Sequence, residues 1–208
     1  MLVPQSTPSK MKAARGLDAL EARMAEESVA IAAARLQVVE KLNAAALKME
    51  SPFPRPELSL AGTAEGMFAG HAALAVEERL RATLAEARRQ DGASGRASEG
   101  AHRTQMHVRY AANGMPAEQC STGQQKALLL SILMAQSRAL AETSGKLPIL
   151  LLDEVVAHLD AGKRAYLFDE ILRLGVQAWM TGTDAQLFES IAPRAQSFRI
   201  ENGATLRG

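Results

Sequence analysis

Cys120-Ser121-Thr122-Gly123-Gln124-Gln125-Lys126 opens an apolar run, and Ile149-Leu150-Leu151-Leu152-Asp153-Glu154 follows soon after. The second stretch reads as a buried strand of a parallel sheet that ends in two carboxylates. Open α/β sheets carry their ligands at that carboxyl edge. In the first stretch, Ser121 with Gln124 three residues later fits a capping box, so a helix starts here with its free amides exposed. Such an end attracts anions, and Gly123 lets a phosphate approach the backbone without a Cβ in the way. Together the two stretches point to a nucleoside triphosphate site.

Each piece also has a plainer reading. Asp153 is in a position to cap the helix that follows the strand, since such caps are common. Ser121 suits an ordinary core helix in which Ala127, Leu128, Leu129, Leu130, Ile132, Leu133 and Met134 bury most of the surface. Capping and phosphate contact are compatible, and the residues alone leave both open. Ala157-His158-Leu159-Asp160 then precedes a helix expected from Ala161 to Leu174, with Gly175 as its stop.

These three pieces resemble the signature, Walker B and D-loop motifs of ABC-type ATPases. With Trp179-Met180-Thr181-Gly182-Thr183-Asp184 they are similar to the RecF family of bacterial replication and recombinational repair ATPases, specifically over residues 100 to 208. The resemblance implies an α/β fold: the C-terminal half of an ABC-type lobe, a mostly parallel sheet with helices, plus an antiparallel helical arm. It implies Asp153 as the Mg²⁺ residue and Glu154 as the residue orienting the attacking water. Ser121, Thr122, Gly123 and Gln124 would cap ATP bound by a second subunit, and Asp160 would couple the two sites. The loop that senses the γ-phosphate usually carries histidine; here the switch candidates are Thr181, Thr183 and Asp184. The family's function would be an ATP-gated clamp, a slow DNA-dependent ATPase on single-stranded or gapped double-stranded DNA. It would dimerise through ATP and work with other recombination mediator proteins in the response to DNA damage (SOS).

Three segments are expected: a flexible lead-in at 1–16, a helical arm at 17–100 and the lobe at 101–208. In the arm, Leu17, Met24, Ile31 and Val38 recur every seven residues, flanked by Leu20, Leu42 and Met49. That stripe predicts a buried seam. Its partner would be the segment from His71 to Gln90, with Ala73, Val76, Leu80, Leu84 and Ala87 at helical spacing. Ser51-Pro52-Phe53-Pro54-Arg55-Pro56 stops the first helix, Leu58-Ser59-Leu60 suggests a short strand, and residues 91 to 100 read as a loop. Gln105 to Tyr110 alternates as a strand, and Ser197 to Leu206 reads as a hairpin turning at Glu201-Asn202-Gly203.

With a net charge of +1, no global field draws the chain to nucleic acid, so any DNA contact needs a local patch. The candidate patch has arginines at 79, 81, 88, 89, 96, 103 and 109 against Glu86, Asp91 and Glu99. Arg88, Arg89 and Arg96 suit phosphate, but ion pairs along a helix face explain the same pattern. His102-Arg103 stands where the family has Gly-Pro-His-Arg, here without the proline, and suits either ATP contact or lobe coupling, or an edge-of-strand structural role. A single cysteine, Cys120, suits a reducing compartment. Met1 to Lys12 has no apolar leader core, and no apolar run is long enough for a bilayer, so the expectation is a cytoplasmic protein without a membrane partner.

No G-x-x-x-x-G-K-[ST] occurs in the 208 residues. Gly145-Lys146 lacks the following hydroxyl residue and precedes a strand, so it is no phosphate loop. In the family that loop lies in an N-terminal half, which would precede Met1. The chain alone is therefore expected not to turn ATP over. Two rival readings are a transporter ATPase subunit, which would not carry a long heptad-like helix before its signature, and an ATP-independent scaffold.

Overall fold

Alanine, glutamate, lysine and arginine fill the early chain, and these strong helix formers give one long helix, α1 (Pro8–Leu47). The computed structural model describes residues 8–145, 147–201 and 204–207. The expected lead-in is corrected here. Residues from Pro8 to Gly16 are helical, because proline is tolerated in a first turn and Lys10, Met11, Lys12, Ala13 and Ala14 favour helix; residues 1–7 lie outside the described set.

By packing, the chain forms two units. The first takes in the chain up to Lys41 and Glu57–Arg109. It holds most of α1, then β1 (Pro56–Ala61), α2 (Thr63–Met67), α3 (Ala73–Ser94), a 3-10 turn at Ala101–Arg103 and β2 (Gln105–Tyr110), with β1 and β2 adjacent in a sheet. α3 runs four residues into the expected loop, to Ser94. It ends at Gly95, whose left-handed φ of 67° lets its N–H reach the Asp91 carbonyl, while the Asp91 carboxylate accepts from the Ser98 amide and hydroxyl.

The core of this unit joins Ala25, Val29 and Ala32 of α1 to Val76, Leu80 and Leu84 of α3, with Ala64 beneath. The heptad expectation fails on its face. Leu17, Leu20, Met24, Ile31 and Val38 are all exposed, and the buried side of α1 carries Glu21, Ala25, Ser28, Val29 and Ala32. Small residues let two helix backbones approach closely, so α3 takes the alanine face and leaves the bulky stripe outward. Ala32→Leu is accordingly expected to overpack this contact and cost about 1–3 kcal/mol. Ile31→Ala beside it should change stability by less than about 0.5 kcal/mol. Denaturant midpoints of the two variants distinguish the faces; equal losses would restore the heptad seam.

The second unit takes in Leu42–Pro56 and the chain from Tyr110. It contains β3 (Met115–Pro116), α4 (Thr122–Ser144), β4 (Ile149–Leu152), α5 (Ala161–Leu174), β5 (Gln177–Met180), and the antiparallel hairpin β6 (Phe198–Glu201) with β7 (Ala204–Arg207). Asn202 and Gly203 of the expected turn lie outside the described residues. β4 and β5 pair in parallel, Leu151 opposite Trp179 and Leu152 opposite Met180, with α5 as the crossover. α5 stops at Gly175 in the left-handed region, as expected.

The core gathers Leu130 and Met134 of α4, Leu150 and Leu152 of β4, and Leu167, Phe168 and Ile171 of α5. Phe53 enters it, edge-on to Tyr166 at 5.9 Å. The buried Ser131 hydroxyl donates to the Pro54 carbonyl at 2.8 Å, tying that segment to α4. Two burial expectations are corrected. Leu129 faces outward on α4, and β4 is covered on one face alone: Leu150 and Leu152 are buried, whereas Ile149 and Leu151 are 61% and 76% exposed. Trp179, opposite Leu151, is also open and stacks on Phe198 at 6.4 Å.

Candidate functional site

Parallel pairing of β4 and β5 fixes where their carboxyl ends lie, and the chemistry-bearing loops leave from there. Asp153 and Glu154 follow β4 directly; Thr181 follows β5. One hydroxyl joins them. Thr181 Oγ1 donates to Asp153 Oδ1 at 2.5 Å and accepts from the Glu154 amide at 3.0 Å, and the Thr181 amide donates to the Leu152 carbonyl at 3.1 Å. Glu154 has a φ of +53°, the one positive value among the described non-glycine residues. An L-residue held there costs about 1 kcal/mol or more, and such residues cluster at functional sites.

The plainer reading of Asp153 as a helix cap does not hold. The N-cap of α5 is Asp160, whose Oδ1 accepts from the Lys163 amide at 2.9 Å and whose Oδ2 meets Lys163 Nζ at 2.8 Å. Those hydrogen bonds to Lys163 hold the Asp160 carboxyl below the usual carboxylate range. Asp153 is exposed and Glu154 half-buried. An exposed carboxylate with one oxygen already oriented suits Mg²⁺, a hard cation bound through one or two carboxylates together with substrate phosphates. No group of three or more metal-ligating side chains occurs among the described residues, so Asp153 would hold the ion with the nucleotide's help.

The head of α4 forms the full capping box. The Gln124 amide donates to Ser121 Oγ at 3.3 Å, and Gln124 Oε1 accepts from the Ser121 amide at 3.0 Å. Gln125 adds a brace, its Nε2 donating to the carbonyls of Ala117 and Cys120. Ser121 through Lys126 are exposed, and a Cβ on Gly123 would meet nothing within 4 Å. The exposed first turn therefore leaves room for an anion to approach Gly123. No hydrogen bond among the described residues joins Ser121–Gln124 to Asp153–Glu154.

The other candidates divide. Asp184 caps the 3-10 turn Ala185–Phe188 by accepting from the Gln186 amide at 2.9 Å, while Thr183 is exposed. His102 and Arg103 both bond the Ala97 carbonyl, closing the loop before β2. Arg88 is engaged by the Asp18 and Glu21 carboxylates of α1, which push its pKa up from the ordinary arginine value. Arg89 and Arg96 are exposed. What the sequence did not reveal is the Thr181 link, a contact across 28 positions with no local signal.

No protein-family model matches the chain. Curated relatives do. The DNA replication and repair protein RecF of Mesorhizobium japonicum is 48% identical over 191 residues, 91% of this chain and 50% of that protein. That of Brucella abortus is 48% identical over 189 residues, 90% and 49% respectively. That of Rhizobium meliloti is 43% identical over 189 residues. The chain thus spans about half the length of the curated relatives it matches. Among solved structures, the recombination mediator protein RecF with ATPrS in the RecFOR pathway superposes with a TM-score of 0.74 at 25% identity, over 92% of this chain and 50% of that one. RecF with ATP gives 0.73 at 23%, which speaks for the fold.

Proposed function

We propose, on the premise that this chain belongs with the RecF proteins and spans about half their length, that it supplies the signature and carboxylate half of an ATP-gated DNA clamp. The clamp would act in DNA replication and recombinational repair. The observation that carries this reading is the pair Asp153–Glu154 at the carboxyl edge of a parallel β4–β5 pair, with Glu154 held in a strained backbone. The ATPrS- and ATP-bound RecF structures support a nucleotide at such a site.

In this reading Asp153 would hold Mg²⁺, which would supply positive charge against the charge that develops on the transferred phosphoryl group. Glu154 orients the attacking water. Ser121, Thr122, Gly123 and Gln124 cap the γ-phosphate of ATP held by a second subunit, and Asp160 at the head of α5 links the two sites of the dimer. The phosphate loop comes from protein outside these 208 residues, so the chain alone does not hydrolyse ATP. Ile149, Leu151 and Trp179 on the open sheet face support completion of the sheet by further protein. Single-stranded or gapped DNA and other mediator proteins are the proposed partners. Of the basic candidates, the exposed Arg89 and Arg96 are the ones proposed to meet DNA phosphate, whereas Arg88, His102 and Arg103 bond within the chain. No described helix is long and apolar enough to cross a membrane, and the proposed location is the cytoplasm.

The test is DNA retention by this chain mixed with a polypeptide carrying the relatives' phosphate loop. The expected result is DNA binding that appears with ATP and is lost with Ser121→Arg, which blocks the head of α4. Binding that ignores ATP and falls steeply with salt would support the scaffold reading instead.

A further inference from the structure

We propose that Thr181 is a positioning residue that sets both carboxylates of the site, an inference that rests on the ATPase reading above. Its hydroxyl has one hydrogen, given to Asp153 Oδ1, and a lone pair that takes the Glu154 amide. One oxygen that donates and accepts at once does both, a role that a serine hydroxyl could share.

Two further contacts fix that hydroxyl in place. The Thr181 amide extends the β4–β5 ladder to the Leu152 carbonyl. The next residue, Gly182, lies so close beneath Phe188 that an added Cβ would come within 2.8 Å of the ring, and Phe188 in turn stacks on Phe168 of the core at 6.2 Å. Thr181 is thus clamped on both sides, and the clamp transmits to Glu154. The Glu154 amide donates to the Thr181 hydroxyl at 3.0 Å, and this bond holds a residue whose φ is left-handed. Without it, Glu154 is free to relax to an ordinary backbone conformation, and its carboxylate swings with the chain. At Asp153 the same hydroxyl orients Oδ1 and so fixes the plane of the carboxylate. Thr181 therefore acts on ATP through Asp153 and Glu154 and need not touch the nucleotide.

The experiment uses this chain paired with the phosphate-loop polypeptide, comparing Thr181→Val, Thr181→Ser and Glu154→Gln. Valine keeps the shape and removes both hydrogen bonds. It should lower kcat for ATP by about tenfold or more while KM changes by less than about threefold, since small misplacements of catalytic groups cost rate rather than binding. Serine should restore kcat to within about threefold of the parent. The Glu154 amide resonance should move in the valine variant and stay in the serine one. Should the valine variant melt below the assay temperature, Thr181→Ala, which adds no bulk, is measured in its place. A valine or alanine variant with parental kcat, or serine as impaired as valine, overturns the proposal. If Glu154→Gln abolishes turnover while Thr181→Val does not, this inference alone falls. If Glu154→Gln has no effect, the ATPase reading falls and this inference with it.

Discussion

In a lobe completed by its phosphate-loop half, Glu154→Gln is expected to slow ATP hydrolysis about 10²- to 10⁴-fold, the range for loss of a positioned general base. ATP binding should persist, because the amide keeps the shape of the carboxylate and Asp153 is untouched. Glutamine still hydrogen-bonds water but cannot draw a proton from it. In the proposed clamp, ATP would then remain between the subunits, and DNA complexes should outlive those of the parent. Single-turnover hydrolysis and DNA dissociation, measured on the same preparation, check both halves of the expectation. Hydrolysis within twofold of the parent would remove Glu154 from the mechanism.

The second large effect concerns stability. Glu170 of α5 is buried, yet it accepts from Arg138 Nε of α4 at 2.8 Å and from Arg173 at 2.7 and 2.9 Å. Arg138 also reaches the Lys48 carbonyl. Burial alone would raise the Glu170 pKa, but the hydrogen bonds from Arg173 and Arg138 outweigh it and hold the carboxyl below its ordinary value. Glu170→Ala leaves the largely buried Arg138 guanidinium without its carboxylate, at a cost of about 3 kcal/mol. For a chain of this size that lowers the melting midpoint by about 6–12 °C. The pH dependence follows from the depressed pKa. The Glu170 contribution is fully present above the unfolded glutamate pKa near about 4.3 and is lost as pH falls through the lower folded value. The gap between parent and Glu170→Gln should therefore stay constant around neutrality and close in acid. A gap that widened as pH fell below about 4 would contradict the assignment.

Local features of this chain were legible because their causes are local. Ser121 and Gln124 satisfy each other's backbone within one turn, and Gly175 stops α5 through its own φ. The apolar run Ile149–Leu152 announced β4. Where partners are remote, the sequence was silent or misleading. Periodicity marked a stripe at Leu17, Met24, Ile31 and Val38, but α3 packed on Ala25, Val29 and Ala32. A stripe is a property of one helix, whereas the buried face is decided by what the neighbour can approach. Composition likewise placed Asp91 and Gly92 in a loop, although α3 continues until Gly95 can take a left-handed turn. Arg88 counted toward a basic patch until Asp18 and Glu21 were found against it. Thr181 stood among three switch candidates, and only the parallel pairing of β4 with β5 brought it onto Asp153.

The central claim is that this chain carries the catalytic carboxylate and signature but not the phosphate cradle. Its most direct test is ATP turnover by the purified chain, alone and paired with the relatives' phosphate-loop polypeptide. The account predicts no turnover alone, and turnover in the pair that Glu154→Gln abolishes. Turnover by the chain alone that disappears with Glu154→Gln would contradict it.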